Sequence, residues 1–289
     1  IIMVDIITEL TYKTFQKSKV YFALAHKRIS TQLRKSIHPN LKLNTKPLSA
    51  EILKKMQQFI DEIIEKDLAD GEKGIYPINL IFDHSWSDFL SCYPNIWLDM
   101  PKVWEKIQQK KYQEFSQEID TQDYPTYYLQ NFHYQTDGYL SNMSANLYDL
   151  QVELLFNGAA DIMRRRILAP LKMGLEKLVS GQNSDAIATQ KLRVLDIACG
   201  TGRTLKFIRA TLPKASLYGV DLSPNYLKKA NKLLSEDLGE LPQLLQGNAE
   251  NLPFRAKYFQ GITCVFTFHE LPPIAVSYTH LTLPTISRV

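Results

Sequence analysis

Cysteine is scarce in this chain of 289 residues: Cys92, Cys199 and Cys264 are the whole complement, and no two of them form a C-x-x-C pair. That excludes a disulfide framework and a sulfur-ligated zinc site, so no metal is expected, and a reducing cytoplasm is the expected location. Long apolar runs are missing as well. No stretch reaches the roughly 18 residues of a membrane span, and Asp5 and Glu9 interrupt the start where a secretory leader needs an unbroken apolar core. Charge of one sign is barely in excess, at +4, which makes a nucleic-acid partner unlikely because such proteins concentrate their basic residues. The densest basic run is Arg164-Arg165-Arg166. It reads as a solvated helix face ahead of Ile167 and Leu168, with a phosphate-binding patch as the alternative. What the chain does have is an apolar fraction of 45%, enough for proper cores in about two domains.

Strand alternation is absent from the first half, residues 1 to about 150, where amphipathic helices are expected instead. Ser49 is a candidate N-cap for a helix whose Ile52, Leu53, Met56, Phe59, Ile60, Ile63, Ile64 and Leu68 form one wide apolar stripe, expected to face a core. Pro101 is expected to open another, with Val103, Trp104, Ile107, Tyr112, Phe115 and Ile119 inward. The stretch from Tyr124 to Tyr139 is rich in tyrosine, amides and histidine without a helical period. It reads equally as a site-lining segment and as a packed interdomain loop, since a tyrosine offers an apolar body with one hydrogen-bonding tip. Ser144 to Leu178 reads as mostly helical with a break at Pro170, and Ser180 to Asp185 as a linker.

The chemistry-bearing signal comes next. Val194 to Ile197 reads as a buried strand that runs into the turn Ala198-Cys199-Gly200-Thr201-Gly202, and Arg203 to Thr211 reads as a helix. Glycines in that turn let a ligand approach the backbone, and Asp196 adds a carboxylate suited to a cationic, amino-acid-bearing cofactor. The dinucleotide fingerprint G-x-G-x-x-G fails, because its third place is Leu205. Ser216 to Asp221 reads as a second strand ending in a carboxylate that can accept both hydroxyls of a ribose. Ser223 and Pro224 then cap and open a helix. A third strand is expected at Gln243 to Gln246, the loop Gly247 to Phe254 after it, and a fourth strand at Gly261 to Phe266 leading into Thr267-Phe268-His269-Glu270-Leu271. Strands alternating with helices make a parallel sheet with ligands beyond its carboxyl ends.

In this order and spacing the segment from Lys191 to about Leu271 resembles the class I S-adenosylmethionine-dependent methyltransferases, especially the small-molecule branch that includes quinone-biosynthesis enzymes. The resemblance implies S-adenosyl-L-methionine as cofactor. It implies that Asp196, Ala198, Cys199, Gly200, Thr201 and Gly202 surround its methionine end, Asp221 with Leu222 its ribose, and Asn248 with Ala249 its adenine. Thr267 and Phe268 would flank the methyl group, with His269 as first candidate base and His133 or Tyr134 as second. Two places depart from the usual pattern. Ala198 replaces a glycine, and Asn248 stands where aspartate is usual; its side-chain oxygen still accepts from the adenine amine without charge assistance.

The expected architecture is an α/β, Rossmann-like parallel sheet, incomplete at about four of seven strands, preceded by a mostly helical N-terminal region. Its expected parts are residues 1–143 as the helical region, 144–190 as helical lid and linker, 191–275 as the truncated cofactor domain, and 276–289 as a non-native tail. Val276 to Thr285 resembles the translation of a sequencing-library adapter, and the first methionine is Met3, so a fragment is expected whose fourth strand leaves an aggregation-prone edge. The expected activity is methyl transfer to a small-molecule acceptor such as a quinone or another aromatic metabolite. The alternatives are a non-catalytic cofactor-binding interaction protein and a methyltransferase for RNA or protein.

Overall fold

A computed structural model describes residues 6–41, 48–83, 86–111, 113–115, 119–131, 135–180 and 191–273. The chain divides into two compact units, one of Ile1–Lys111 with Leu147–Arg166 and one of Tyr112–Asn146 with Ile167–Val289.

The first unit is helical. It contains α1 (Ile6–Ile37), α2 (Ala50–Glu72), a 3-10 turn (Ile78–Phe82), α3 (Trp86–Gln109), the greater part of α4 (Asn142–Leu155) and α5 (Ala160–Arg165). Ser49 caps α2 as the sequence implies, its Oγ accepting from the Ile52 N–H at 3.3 Å. The apolar stripe of α2 is only half used: Ile60, Ile63, Ile64 and Leu68 are buried, whereas Ile52, Leu53, Met56 and Phe59 are each more than two-fifths exposed. Between α1 and α2 runs a groove of about 510 Å³ lined by Val20, Ile60 and Ile64, with Lys17, Asp61 and Glu65 among its polar residues. Helix α3 corrects the expectation at Pro101. It begins at Trp86 and carries both Pro94 and Pro101 inside it. Its apolar face joins Phe89 and Ile96 to Ala23, Leu147, Leu150 and Leu154 in one core, and that burial outweighs the backbone bonds the prolines cannot make.

The arginine run is a second correction, and neither sequence reading of it holds. Arg164 bonds Asp161 and Asp149, and Arg166 pairs with Asp70. Arg165 is fully buried and forks onto Asp67, with Nε 2.9 Å from Oδ1 and Nη2 2.7 Å from Oδ2. Tyr12 and Tyr76 also donate their hydroxyls to the Asp67 carboxylate. A guanidinium beside it and two phenol donors hold that carboxyl below the usual range despite its burial.

The second unit holds the sheet. After α6 (Leu168–Ser180) come β1 (Arg193–Ile197), α7 (Arg203–Thr211), β2 (Ser216–Asp221), α8 (Pro224–Ser235), β3 (Gln243–Gln246) and β4 (Gly261–Cys264). Pro170 does not break α6; it lies in its first turn, where its missing N–H has no intrahelical partner to lose. The strands are all parallel in the order β3-β2-β1-β4. The chain builds outward from β1 through β2 to β3 and then returns to the other side of β1. That reversal is the switch point where open α/β sheets bind ligands. Leu195, Ile197, Tyr218 and Val220 form one face with Phe254, Tyr258 and Phe259 against it. On the opposite face Leu171 and Leu175 of α6 approach Gly261, and Leu205 of α7 approaches Gly219. The fourth strand is shorter than expected, ending at Cys264, because Phe266 takes a left-handed φ of 62° and turns the chain away. Among the described residues β4 pairs only with β1. No helix of the described residues is long and apolar enough to cross a membrane.

Candidate functional site

Four loops lie at the carboxyl ends of the strands, and the first is the turn after β1. Ala198, Gly200 and Gly202 adopt φ values of 52°, 54° and 80°, the left-handed region that glycine enters freely and alanine does not. Gly202 is the residue before α7 and has no side chain with which to cap it. A Cβ there would sit 3.0 Å from Ala230 Cβ, so glycine also lets α8 pack close. Cys199 donates its N–H to Val220 O at 3.1 Å and is buried, which pushes its thiol well above the usual range. Thr201 is buried with it, at the start of α7. Asp196 lies within the sheet, 1% exposed, its Oδ1 accepting from Thr263 Oγ1 at 2.6 Å.

Asp221 ends β2 and receives the turn: the Gly200 N–H donates to its Oδ2 at 2.8 Å and the Ser223 N–H to its Oδ1 at 2.9 Å. Burial nevertheless pushes this carboxyl up to about 6, with those two N–H donors working against it and the nearby Glu270 carboxylate adding to it. An acid raised to about 6 beside the glycine turn ionises more fully when a donor or cation arrives. Leu222 follows, half-buried, its carbonyl accepting from Gln246 Nε2.

The loop after β3 carries Asn248 and Ala249. Asn248 Oδ1 accepts the Glu250 N–H at 2.9 Å, and its Nδ2 donates to Glu250 Oε2 at 3.2 Å. Ala249 packs on the aromatic side of the sheet. In the loop after β4, Thr267 Oγ1 donates to Val265 O, and Phe268 and His269 face solvent in large part. His269 Nε2 stands 3.5 Å from Glu270 Oε1.

Sequence reasoning missed what joins these loops to the tyrosine-rich stretch, although it marked that stretch as a possible lining. Tyr127 donates to Glu250 Oε2 at 2.8 Å and Tyr139 to Glu270 Oε1 at 2.5 Å. Ser223 Oγ donates to Tyr139 O, Asn225 Nδ2 to Leu140 O, and Ser144 Oγ lies 2.8 Å from Tyr226 Oη. One segment thus touches the loops after β2, β3 and β4. His133 and Tyr134 lie outside the described residues, as do the tail at 276–289 and the expected linker at 180–185 apart from Ser180, which ends α6.

The fold is an α/β domain of Rossmann-like topology with the candidate residues at the carboxyl ends of its strands. Residues 194–280 match the family described as a methyltransferase domain. The chain is 29% identical over 150 residues to a demethylmenaquinone methyltransferase of Desulfitobacterium hafniense, covering 49% of this chain and 56% of that one. It is 43% identical over 65 residues to a ubiquinone/menaquinone biosynthesis C-methyltransferase of Syntrophotalea carbinolica, covering 22% of this chain and 27% of that one. A solved structure, DesVI of Streptomyces venezuelae, is 23% identical with a TM-score of 0.33 over 48% of this chain and 52% of that one. The chain spans between about a quarter and just over half of the length of these relatives. The sheet-bearing segment is similar to methyltransferase domains.

Proposed function

We propose that this protein transfers the methyl group of S-adenosylmethionine to a small, flat aromatic acceptor, a quinol or related phenol, in the cytoplasm. The observation that carries the cofactor half is Asp221, a half-buried carboxylate at the end of β2 with one oxygen accepting from the glycine turn after β1 and the other from the Ser223 N–H. Each oxygen still has a lone pair for a ribose hydroxyl. The turn fits as well: a Cβ on Gly200 would meet nothing nearer than Tyr226 Cδ1 at 3.9 Å, so the backbone is open to close approach. In this reading Gly200, Thr201 and Gly202 hold the methionine end with Asp196, Ala198 and Cys199 shaping the turn beneath it. Asp221 and Leu222 hold the ribose, Asn248 and Ala249 the adenine, and Thr267 and Phe268 border the methyl group.

When bound, the cofactor supplies an electrophilic methyl carbon on a sulfonium, so the protein's part is to align and desolvate. His269, exposed beside the Glu270 carboxylate, is the group placed to take an acceptor's hydroxyl proton. The quinol acceptor is drawn from the relatives whose names specify quinone biosynthesis, and from the aromatic run Tyr124, Tyr128 and Tyr139, stacked or tilted against one another in the same unit. Incubating the chain with methyl-labelled S-adenosylmethionine and a short-chain 1,4-naphthoquinol tests both halves. Labelled product extractable into organic solvent together with S-adenosylhomocysteine is the expected result. Cofactor binding without turnover on that quinol or on the small-molecule fraction of a lysate refutes catalysis, and absence of binding at millimolar concentration refutes the whole reading.

A further inference from the structure

An asparagine that reads a base has a weakness that an aspartate lacks. Its amide is nearly symmetric in shape, and a half-turn about the last side-chain bond exchanges acceptor for donor. At Asn248 two neighbours forbid that half-turn. The Glu250 backbone N–H cannot accept, so the atom facing it at 2.9 Å is Oδ1; the Glu250 carboxylate cannot donate, so the atom facing its Oε2 at 3.2 Å is Nδ2. The same Oε2 accepts the Tyr127 hydroxyl at 2.8 Å from 123 positions earlier in the chain. Tyr127 is itself held in a local turn, its carbonyl accepting from Gln130 Nε2 at 2.8 Å and Tyr128 N–H bonding to Pro125 O. Burial and the bond to Glu250 keep the Tyr127 phenol protonated far above neutral pH, so it remains a donor.

We infer that Glu250 and Tyr127 are positioning residues that lock the Asn248 amide with its oxygen presented to the ligand, so that the site takes an adenine and rejects its 6-oxo counterpart. The inference rests on the reading of Asn248 as the adenine contact. One lone pair of Oδ1 and one hydrogen of Nδ2 remain after the two internal bonds. Adenine's exocyclic amine donates to that oxygen, whereas the 6-oxo group of hypoxanthine would face it acceptor to acceptor. Without the Glu250 carboxylate only the Glu250 N–H still opposes the half-turn, so the amide turns over more readily and the other base is rejected less strongly.

Calorimetric titration of the full chain with S-adenosylhomocysteine and with S-inosylhomocysteine tests this without knowledge of the methyl acceptor. The native protein is expected to prefer the adenosyl compound by about tenfold, the worth of one good hydrogen bond against an unpaired acceptor. Glu250→Ala, which keeps the backbone N–H on the Asn248 oxygen, should lower the ratio about threefold while melting temperature and circular dichroism hold. Tyr127→Phe, which removes only a hydroxyl, should lower it less, by about twofold, and serves if the alanine variant does not fold. Adding Asn248→Asp to Glu250→Ala should restore the preference, because a carboxylate presents an acceptor in both orientations. A merely structural role for Glu250 would weaken both ligands together. Folded variants that keep the native ratio overturn the inference, as does a native protein that binds the adenosyl compound without discrimination. A native protein that binds neither compound removes the cofactor reading, and the inference falls with it.

Discussion

The ion pair between Arg165 and Asp67 allows a quantitative test of what holds the helical unit together. Both side chains are fully excluded from water, the guanidinium is bidentate, and two tyrosine hydroxyls fill the remaining acceptor positions. Removing one partner leaves a charge without compensation in a dry site, at a cost of about 3–5 kcal/mol. That is a large share of the roughly 5–15 kcal/mol that a domain has to lose. The tryptophans make the unit observable by itself, because Trp86, Trp97 and Trp104 are all of the chain's three and all lie in α3. With a urea dependence of about 1–1.5 kcal/mol per molar for a unit of this size, Arg165→Met or Asp67→Leu should move the fluorescence midpoint down by about 2–5 M. The double variant should cost clearly less than the two singles together, because it removes the buried charge as well as its partner. Further change of Tyr12 to phenylalanine should recover part of the rest by removing a hydroxyl left without its acceptor, whereas Tyr76 keeps the backbone carbonyl of residue 67 at 2.6 Å. The sign with pH follows from a carboxyl held below its ordinary range in the folded state. Its stabilisation is present above the unfolded value near 3.9 and lost as pH falls through the lower folded value, so the helical unit should unfold in acid. Single variants that shift the midpoint by less than about 0.5 M would refute the assignment of this pair as a dry, charged link.

Asp221 has the opposite sign. With its folded value raised from 3.8 to about 6, its stabilising contribution is complete below the unfolded value and lost as pH rises through about 6, up to about 3 kcal/mol across that window. Affinity for S-adenosylhomocysteine, which needs the ionised acceptor, should fall about three- to tenfold per pH unit below 6; titration at pH 5, 6 and 7.5 with a flat result would refute it. Ala198 holds a φ of 52°, so Ala198→Gly should relieve about 1–2 kcal/mol of left-handed strain against about 0.5–1 kcal/mol of added unfolded-state entropy, raising the melting temperature by a few degrees; a lower one counts against the turn. Gly219→Ala should destabilise the sheet unit by about 1–3 kcal/mol, since the new Cβ would lie 2.7 Å from Leu205 Cδ1, 2.8 Å from Cys199 Sγ and 2.9 Å from Leu244 Cδ2; an unchanged melt would show that those side chains give way freely.

The sheet was legible because its signals are local. Strand β2 and helix α7 start and stop, and helix α8 starts, where the sequence puts them, since a carboxylate, a glycine pair, a serine cap and a proline each mark an end within a few residues. The turn and Asp221 were legible for the same reason. The rest depends on partners far away in sequence. Nothing around Arg165 announces Asp67, and without it a run of three arginines reads as surface. The tyrosine-rich stretch could be marked as unusual, but its bonds to Glu250 and Glu270 span 123 and 131 positions. Periodicity also overreached: it identified the apolar stripe of α2 but not that burial stops short of Phe59, because a pattern reveals a face and says nothing of what covers it.

The buried ion pair also sets an order of events during synthesis. Asp67 leaves the ribosome 98 residues ahead of Arg165, an interval of about 5–20 s at ordinary elongation rates. Throughout it, α1, α2 and the segment around Tyr76 exist without the cation that makes their carboxylate tolerable in a dry interior. The nascent helical unit therefore has to wait, with Asp67 hydrated or protonated, while Tyr112–Asn146 of the other unit is made. Its first 111 residues, expressed alone, would be held in that waiting state permanently.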